Sequence, residues 1–281
     1  MSRRKAESEV SLPLAGVRVV SLAINLPGPL AAARLAELGA TVTKVEPPTG
    51  DPLASAAPDW YAQLIERQTV VALDIKSDRA KLDDLLAEAD LLITSMRPSA
   101  LARLGLARPQ ENFPRLSLIE IVGHDGAAAE VPGHDLNYQA VHGTLTPPAM
   151  PKVPIADLLG AERAVSTALA ALIAAGAAGR GGSHRVVLEE AAARAGDAVR
   201  YRLMGDGAIL GGAFPGYGIY PCADGYIALG AIEPHFFSRV LETFAADGTH
   251  DGLRAAFADK TAAELESLAA QADIPLNAVQ Q

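Results

Sequence analysis

An imidazole and a carboxylate stand side by side at His134-Asp135, within Pro132-Gly133-His134-Asp135-Leu136-Asn137-Tyr138-Gln139. An unperturbed imidazole titrates near pH ~6.5, so it can take or return a proton at neutral pH. The segment follows an apolar run at 116–122 and a Gly/Ala loop. Open α/β sheets carry their chemistry beyond the carboxyl ends of such strands. Two further carboxylates lie in apolar settings: Asp157 in Pro154-Ile155-Ala156-Asp157-Leu158-Leu159-Gly160, and Glu233 in Leu229-Gly230-Ala231-Ile232-Glu233-Pro234-His235. One imidazole and two carboxylates can serve as general acids and bases. Each also has a plain structural reading. A lone loop histidine is commonly a surface residue, and a carboxylate at a helix start is favoured by capping and the macrodipole.

A fourth feature is basic. Lys44, Lys76, Arg97 and Arg103 each fall near the end of an expected strand or just after it. Taken singly they are solvated charges; gathered on one edge of a sheet they would suit a multiply phosphorylated ligand.

The elements that must position these groups alternate. Apolar strands are expected at 16–22, 40–46, 70–75, 91–95 and 116–122. Helices are expected at 29–38, from Ser77 to about residue 88, and shortly after Pro98. Strand–helix alternation implies right-handed βαβ units and a parallel sheet covered on both faces. The second half differs. It reads as a long Ala-rich helix at 158–178, a strand at 185–188, and a helix at 189–203. A hairpin then turns at Asp224-Gly225, between strands 216–222 and 226–232, and helices at 234–246 and 262–272 end the chain.

Composition narrows the field. At 281 residues with 49% hydrophobic and 20% charged residues, the chain can bury a large core and is expected to hold a large and a small domain. A net charge of -9 and a pI near 5.2 argue against nucleic acid or an anionic membrane as the main partner. Cys222 is the sole cysteine, which rules out an intrachain disulfide and fits a reducing compartment. The first ten residues carry no apolar leader, and the apolar segment 166–179 is shorter than a bilayer span, so it reads as a buried, closely packed helix of a cytoplasmic protein. The first strand–helix turn, Asn25-Leu26-Pro27-Gly28-Pro29, is not a G-x-G-x-x-G fingerprint, and the six histidines are scattered without ligand spacing, so neither a dinucleotide nor a metal cofactor is expected.

These residues carry a family resemblance. Leu38-Gly39-Ala40 with Val42-Thr43-Lys44-Val45-Glu46-Pro47-Pro48, then Ala72-Leu73-Asp74-Ile75-Lys76-Ser77, Arg97-Pro98 with 101–106, and Pro132 to Gln139 together resemble the class III CoA-transferase family. Gly133-His134-Asp135-Leu136-Asn137-Tyr138 with Gly230-Ala231-Ile232-Glu233-Pro234 resembles its α-methylacyl-CoA racemase branch.

The resemblance implies an α/β fold: a Rossmann-like, CoA-binding large domain at 14–190, a reduced α+β small domain at 191–281 and a disordered tail at 1–13. The chain is shorter than is typical of the family, so the small domain and the returning C-terminal tail are expected to be cut back. It further implies an interlinked homodimer, coenzyme A as part of the substrate, and no redox or metal cofactor. His134 and Asp157 would be the two acid/base groups, with Glu233 hydrogen-bonded to His134. CoA would be held by Leu73, Lys76, Met96, Arg97, Arg103, Asp135 and Tyr138. Inverting a carbon beside a thioester needs a proton removed from one face and returned to the other, which such a pair does without a cofactor. The developing enolate needs fixed donors, for which backbone N–H groups at the start of the helix after Asp157 are the expectation. Two other readings stay open. Asp157 could attack the thioester as the nucleophile of a transferase, or the chain could be a non-catalytic relative that binds CoA.

Overall fold

The computed structural model describes residues 12–280; most of the expected tail at 1–13 lies outside the described residues. The chain divides into two units, Met1–Ala195 and Gly196–Gln281.

In the first unit β1 (Arg18–Ser21) leads through α1 (Pro27–Glu37) to β2 (Thr41–Glu46). Two short helices, α2 (Pro52–Ala56) and α3 (Pro58–Ile65), precede β3 (Gln68–Ala72). Then follow α4 (Arg79–Ala87), β4 (Leu91–Thr94), α5 (Pro98–Arg103), β5 (Ser117–Val122), α6 (Asp135–Val141), α7 (Ile155–Ala178), β6 (Ser183–Val187) and α8 (Leu188–Ala195). The six strands form one parallel sheet in the order β3-β2-β1-β4-β5-β6. Every residue of β4 and β5 is buried, as expected of central strands covered on both faces. One core packs Val19, Val42, Ile93 and Ile121 under α1 and α7; the other packs Val20, Leu92 and Leu118 under Leu82 and Leu86 of α4 and Leu101 of α5. The direction of winding reverses between β1 and β4, and such a switch point opens a crevice at the carboxyl ends of the strands.

Helix α7 packs through small residues. Ala156, Gly160, Ala161, Ala164, Ala168 and Ala171 are buried, and a Cβ at Gly160 would lie 2.2 Å from Leu188 Cδ2. A glycine there lets α7 approach α8 closely. Its outer side and last two turns are not buried, Ile173 being 75% exposed, so the expectation of a buried helix at 166–179 holds for one face only. Among the described residues α7 is the one helix long and apolar enough to cross a membrane, by length and composition.

The expected helix at 189–203 does not run through. It stops at Ala195; Gly196, a poor helix former, intervenes before the four-residue α9 (Asp197–Arg200), and Arg202 then turns left-handed at φ 58°. The hairpin forms as β7 (Tyr217–Cys222) and β8 (Gly225–Gly230), with α10 (Pro234–Phe244), α11 (His250–Ala258) and α12 (Ala262–Gln271) following. A last strand, β9 (Leu276–Ala278), pairs with β8. Tyr220, Ile227 and Leu229 bury one side of this sheet against Val240, Phe244, Leu253, Phe257 and Leu265.

Candidate active site

Two cavities open at the switch point. The larger, about 710 Å³, is lined by the ends of β1 and β2 and by the segments after β3 and β4, including Leu22, Val45, Leu73, Lys76, Arg103 and Leu104. The smaller, about 270 Å³, is lined by Arg97, Gly123, Gly133, His134, Tyr138 and Asp157 among others. Ile24, Asn25, Ser95 and Met96 belong to both walls, so the two cavities share a boundary. Ser95 fastens that boundary: its Oγ accepts from the Ile24 N–H at 3.2 Å and donates to the Ile24 carbonyl at 3.4 Å, joining the ends of β1 and β4. Sequence reasoning missed Ser95, whose neighbour 71 residues away is visible only in the fold.

Leu73, Lys76, Met96 and Arg103 line the larger cavity, and Met96, Arg97 and Tyr138 the smaller, so six of the residues assigned to CoA by resemblance converge. Asp135 does not join them. One of its oxygens accepts from the Ala156 and Asp157 N–H groups at 2.7 and 3.2 Å, and the other from Gln139 Nε2 at 2.6 Å. It therefore caps the start of α7, as an anion near the positive end of a helix should. Of the N–H groups after Asp157 expected to hold the enolate, that of Leu158 bonds the Pro154 carbonyl, and the two N–H groups just before it are taken by Asp135.

Lys44 also departs from expectation. Its side chain is 0% exposed rather than facing a ligand, and its Nζ donates to Glu46 Oε1 at 2.5 Å and Asp51 Oδ2 at 2.7 Å. The Tyr61 hydroxyl donates to the same Glu46 oxygen at 2.5 Å, and burial holds that phenol well above its ordinary pKa. The other Asp51 oxygen accepts from the Asn25 N–H and caps α2 through Leu53. Asn25, with a left-handed φ of 70°, is thus fixed where both cavities meet.

His134 and Asp157 line the same smaller cavity. His134 is the extended N-cap residue of α6; its N–H donates to Asn137 Oδ1 at 3.0 Å, which fixes the backbone and leaves the imidazole exposed. Burial pushes the Asp157 carboxyl up to about 6, and the like charge of Asp135 adds to the shift. Tyr138, 2% exposed, sits against two glycines: a Cβ at Gly123 would be 2.2 Å from its hydroxyl, and one at Gly133 2.7 Å from its Cε1. Burial, followed by the charges of Asp157, Glu189 and Asp135, pushes its pKa up to about 12, so it remains a neutral O–H donor. Glu233 lies in the second unit as the exposed N-cap residue of α10, where its side chain makes no capping hydrogen bond.

Two histidines that look scattered in sequence are not scattered in space. His124 Nδ1 lies 2.7 Å from Glu189 Oε2, His142 Nε2 lies 3.6 Å from Glu189 Oε1, and His124 packs edge-on against Tyr138 at 5.2 Å. No local spacing announces this group, since His124 and Glu189 are 65 residues apart.

Comparison with known proteins places the arrangement. The family model of CoA-transferase family III matches residues 14–281. Cinnamoyl-CoA:phenyllactate CoA-transferase of Clostridium sporogenes is 34% identical over 137 residues, 43% of this chain and 33% of that protein. Alpha-methylacyl-CoA racemase of Mus musculus is 30% identical over 256 residues, 82% of this chain and 64% of that protein. The chain thus matches a third to just under two thirds of the length of these relatives. A CAIB/BAIF family protein from Brucella suis shares the fold at a TM-score of 0.79 and 22% identity, over 96% of this chain and 85% of that one. The chain belongs to CoA-transferase family III.

Proposed function

We propose that the protein is an acyl-CoA racemase that inverts the carbon next to the thioester by moving one proton off and another on. The observation that carries this reading is that His134 and a carboxyl pushed up to about 6 line one small cavity. A nucleophilic carboxylate is best fully ionised, whereas a proton carrier works best with a pKa near the working pH. One of the two takes the α-proton; the other, protonated, returns a proton to the opposite face, and the roles exchange for the other enantiomer.

The proposed substrate spans both cavities. The apolar lining of the larger one suits the nucleotide, with Lys76 and Arg103 facing its phosphates, and Met96 at the shared wall leads the pantetheine arm toward Asp157. The neutral hydroxyl of Tyr138 is the proposed donor to the developing enolate oxygen. Removing one such donor typically lowers the rate by about 10²–10³.

A second reading, transfer of CoA between carboxylic acids with Asp157 attacking the thioester, is favoured by the name of the Clostridium sporogenes relative. Incubation of one enantiomer of a 2-methylacyl-CoA in deuterated water separates the two. The racemase reading expects deuterium at the α-carbon together with loss of optical purity. Retained configuration, with exchange of the thioester onto an added carboxylate, would establish the transferase instead.

A further inference from the structure

The chain between β5 and α6 delivers His134 to the cavity; its start is fastened by His124 to Glu189 and by Asp125 to Arg185, but little of 126–133 is anchored. From 126 to 133 the backbone bonds stay inside the loop: Ala128 to Asp125, Ala129 to Gly126 and Val131 to Ala128. Val131 is 51% exposed, so the loop does not hold itself down by burying its largest apolar side chain. Among the described residues, the one side chain of this stretch with hydrogen bonds beyond the loop is Glu130. Its two oxygens accept from the Ser99 N–H at 2.8 Å and the Ser99 hydroxyl at 2.9 Å.

Ser99 occupies the first turn of α5, directly after Arg97-Pro98. That position ties the loop to the two segments a CoA ligand would touch. Met96 and Arg97 line the smaller cavity before Ser99; Ala100 and Arg103 line the larger one after it. At the other end, Ala129, Val131, Pro132 and Gly133 line the smaller cavity up to His134 itself. The Ser99 hydrogen bonds, and then the charges of Arg97 and Arg103, hold the Glu130 carboxyl below its ordinary pKa, so the contact is charge-assisted at neutral pH.

We propose that Ser99 and Glu130 form a clasp that positions His134, transmitting the placement of the CoA-facing α5 segment to the loop that carries the proton-transfer histidine. The inference rests on the acid/base reading of His134. Glu130 is a positioning residue, since it acts through the loop and is four residues from the imidazole. A misplacement of about 1 Å at a reacting group can lower a rate by roughly 10²-fold.

The test uses the full chain with Glu130→Ala, Ser99→Ala and the conservative Ser99→Thr. Hydrogen–deuterium exchange of the 123–134 peptide and the Kd for CoA are measured beside α-proton exchange with 2-methylacyl-CoA. The clasp predicts faster amide exchange in both alanine variants and a kcat lowered roughly 10-fold to 100-fold with the CoA Kd within about twofold of wild type. Ser99→Thr should restore both, and the double alanine variant should be no worse than either single one, because each removes the same contact. Unchanged amide exchange in Glu130→Ala overturns the clasp whatever reaction the site performs. Faster exchange with unchanged kcat overturns its positioning role. If the wild type shows no α-proton exchange, the racemase reading fails and the positioning of a proton carrier falls with it; amide exchange then shows whether the contact itself anchors the loop.

Discussion

Two acidic clusters lie within one sheet-and-helix unit, and they are handled in opposite ways. Around Lys44 two carboxylates share one buried ammonium, and their remaining negative charge is met by hydrogen bonds, a phenol O–H on Glu46 and backbone N–H groups on Asp51. Around Asp157 burial acts on a carboxyl whose charged neighbour is another carboxylate, Asp135. The first arrangement stabilises a loop conformation. The second keeps a proton available near neutral pH at some expense of stability. On the proposed reading, pairing marks the scaffold, and the lack of it marks the chemistry.

The largest separation of the two clusters should come from Asp157→Asn. Removing a general acid/base typically lowers a rate by about 10²–10⁴-fold, and α-proton exchange should fall in that range. Stability should move the other way. The folded carboxyl holds its proton up to about 6, against the ordinary carboxyl value of 3.8, so its contribution to stability is lost as pH rises between those values and the penalty is complete above them. At about 1.4 kcal/mol per unit that penalty is at most about 3 kcal/mol, less what solvent at the cavity mouth screens. Denaturant unfolding at pH 5 and 7.5 should show the asparagine variant more stable than wild type at the higher pH, with the gap narrowed to about half at the lower.

Lys44→Met should do the reverse. It leaves two buried carboxylates without their cation, a change that typically destabilises by about 3–5 kcal/mol. A shift in denaturant midpoint measures it, and a midpoint equal to wild type would mean that the cluster does not support the loop. Smallest is Tyr61→Phe, which deletes one hydrogen bond to Glu46 while the ion pairs persist; about 1 kcal/mol is expected, read from the same midpoint.

Legibility in the sequence followed the same divide. Strands β1, β4 and β5 are readable because Val, Leu and Ile run together where a strand is covered on both faces, and β2 by its alternation. The sequence places β3 at 70–75 because Leu73 and Ile75 are apolar; both lie beyond the strand's end, where they join the core that holds Leu82 and Leu92 and line the larger cavity. Helix α6 was not expected, since Pro132-Gly133 precedes it and its seven residues show no apolar period. Asp51-Pro52, by contrast, was an overlooked helix start, an N-cap carboxylate followed by proline at N1. The candidate acid/base residues were legible through their motif contexts. What Lys44 and Asp135 do was not, because both are turned inward by partners that only the folded chain supplies: Glu46 and Asp51 for one, the α7 backbone for the other.

The central claim is that Asp157 carries a proton and not an acyl group. Its most direct test is peptide mass mapping of the protein after turnover of 2-methylacyl-CoA in deuterated water, with hydroxylamine present to trap any activated carboxyl. The account predicts deuterium at the substrate α-carbon and an unmodified Asp157 peptide. A hydroxamate on Asp157, formed while the α-carbon retains its hydrogen, would contradict it.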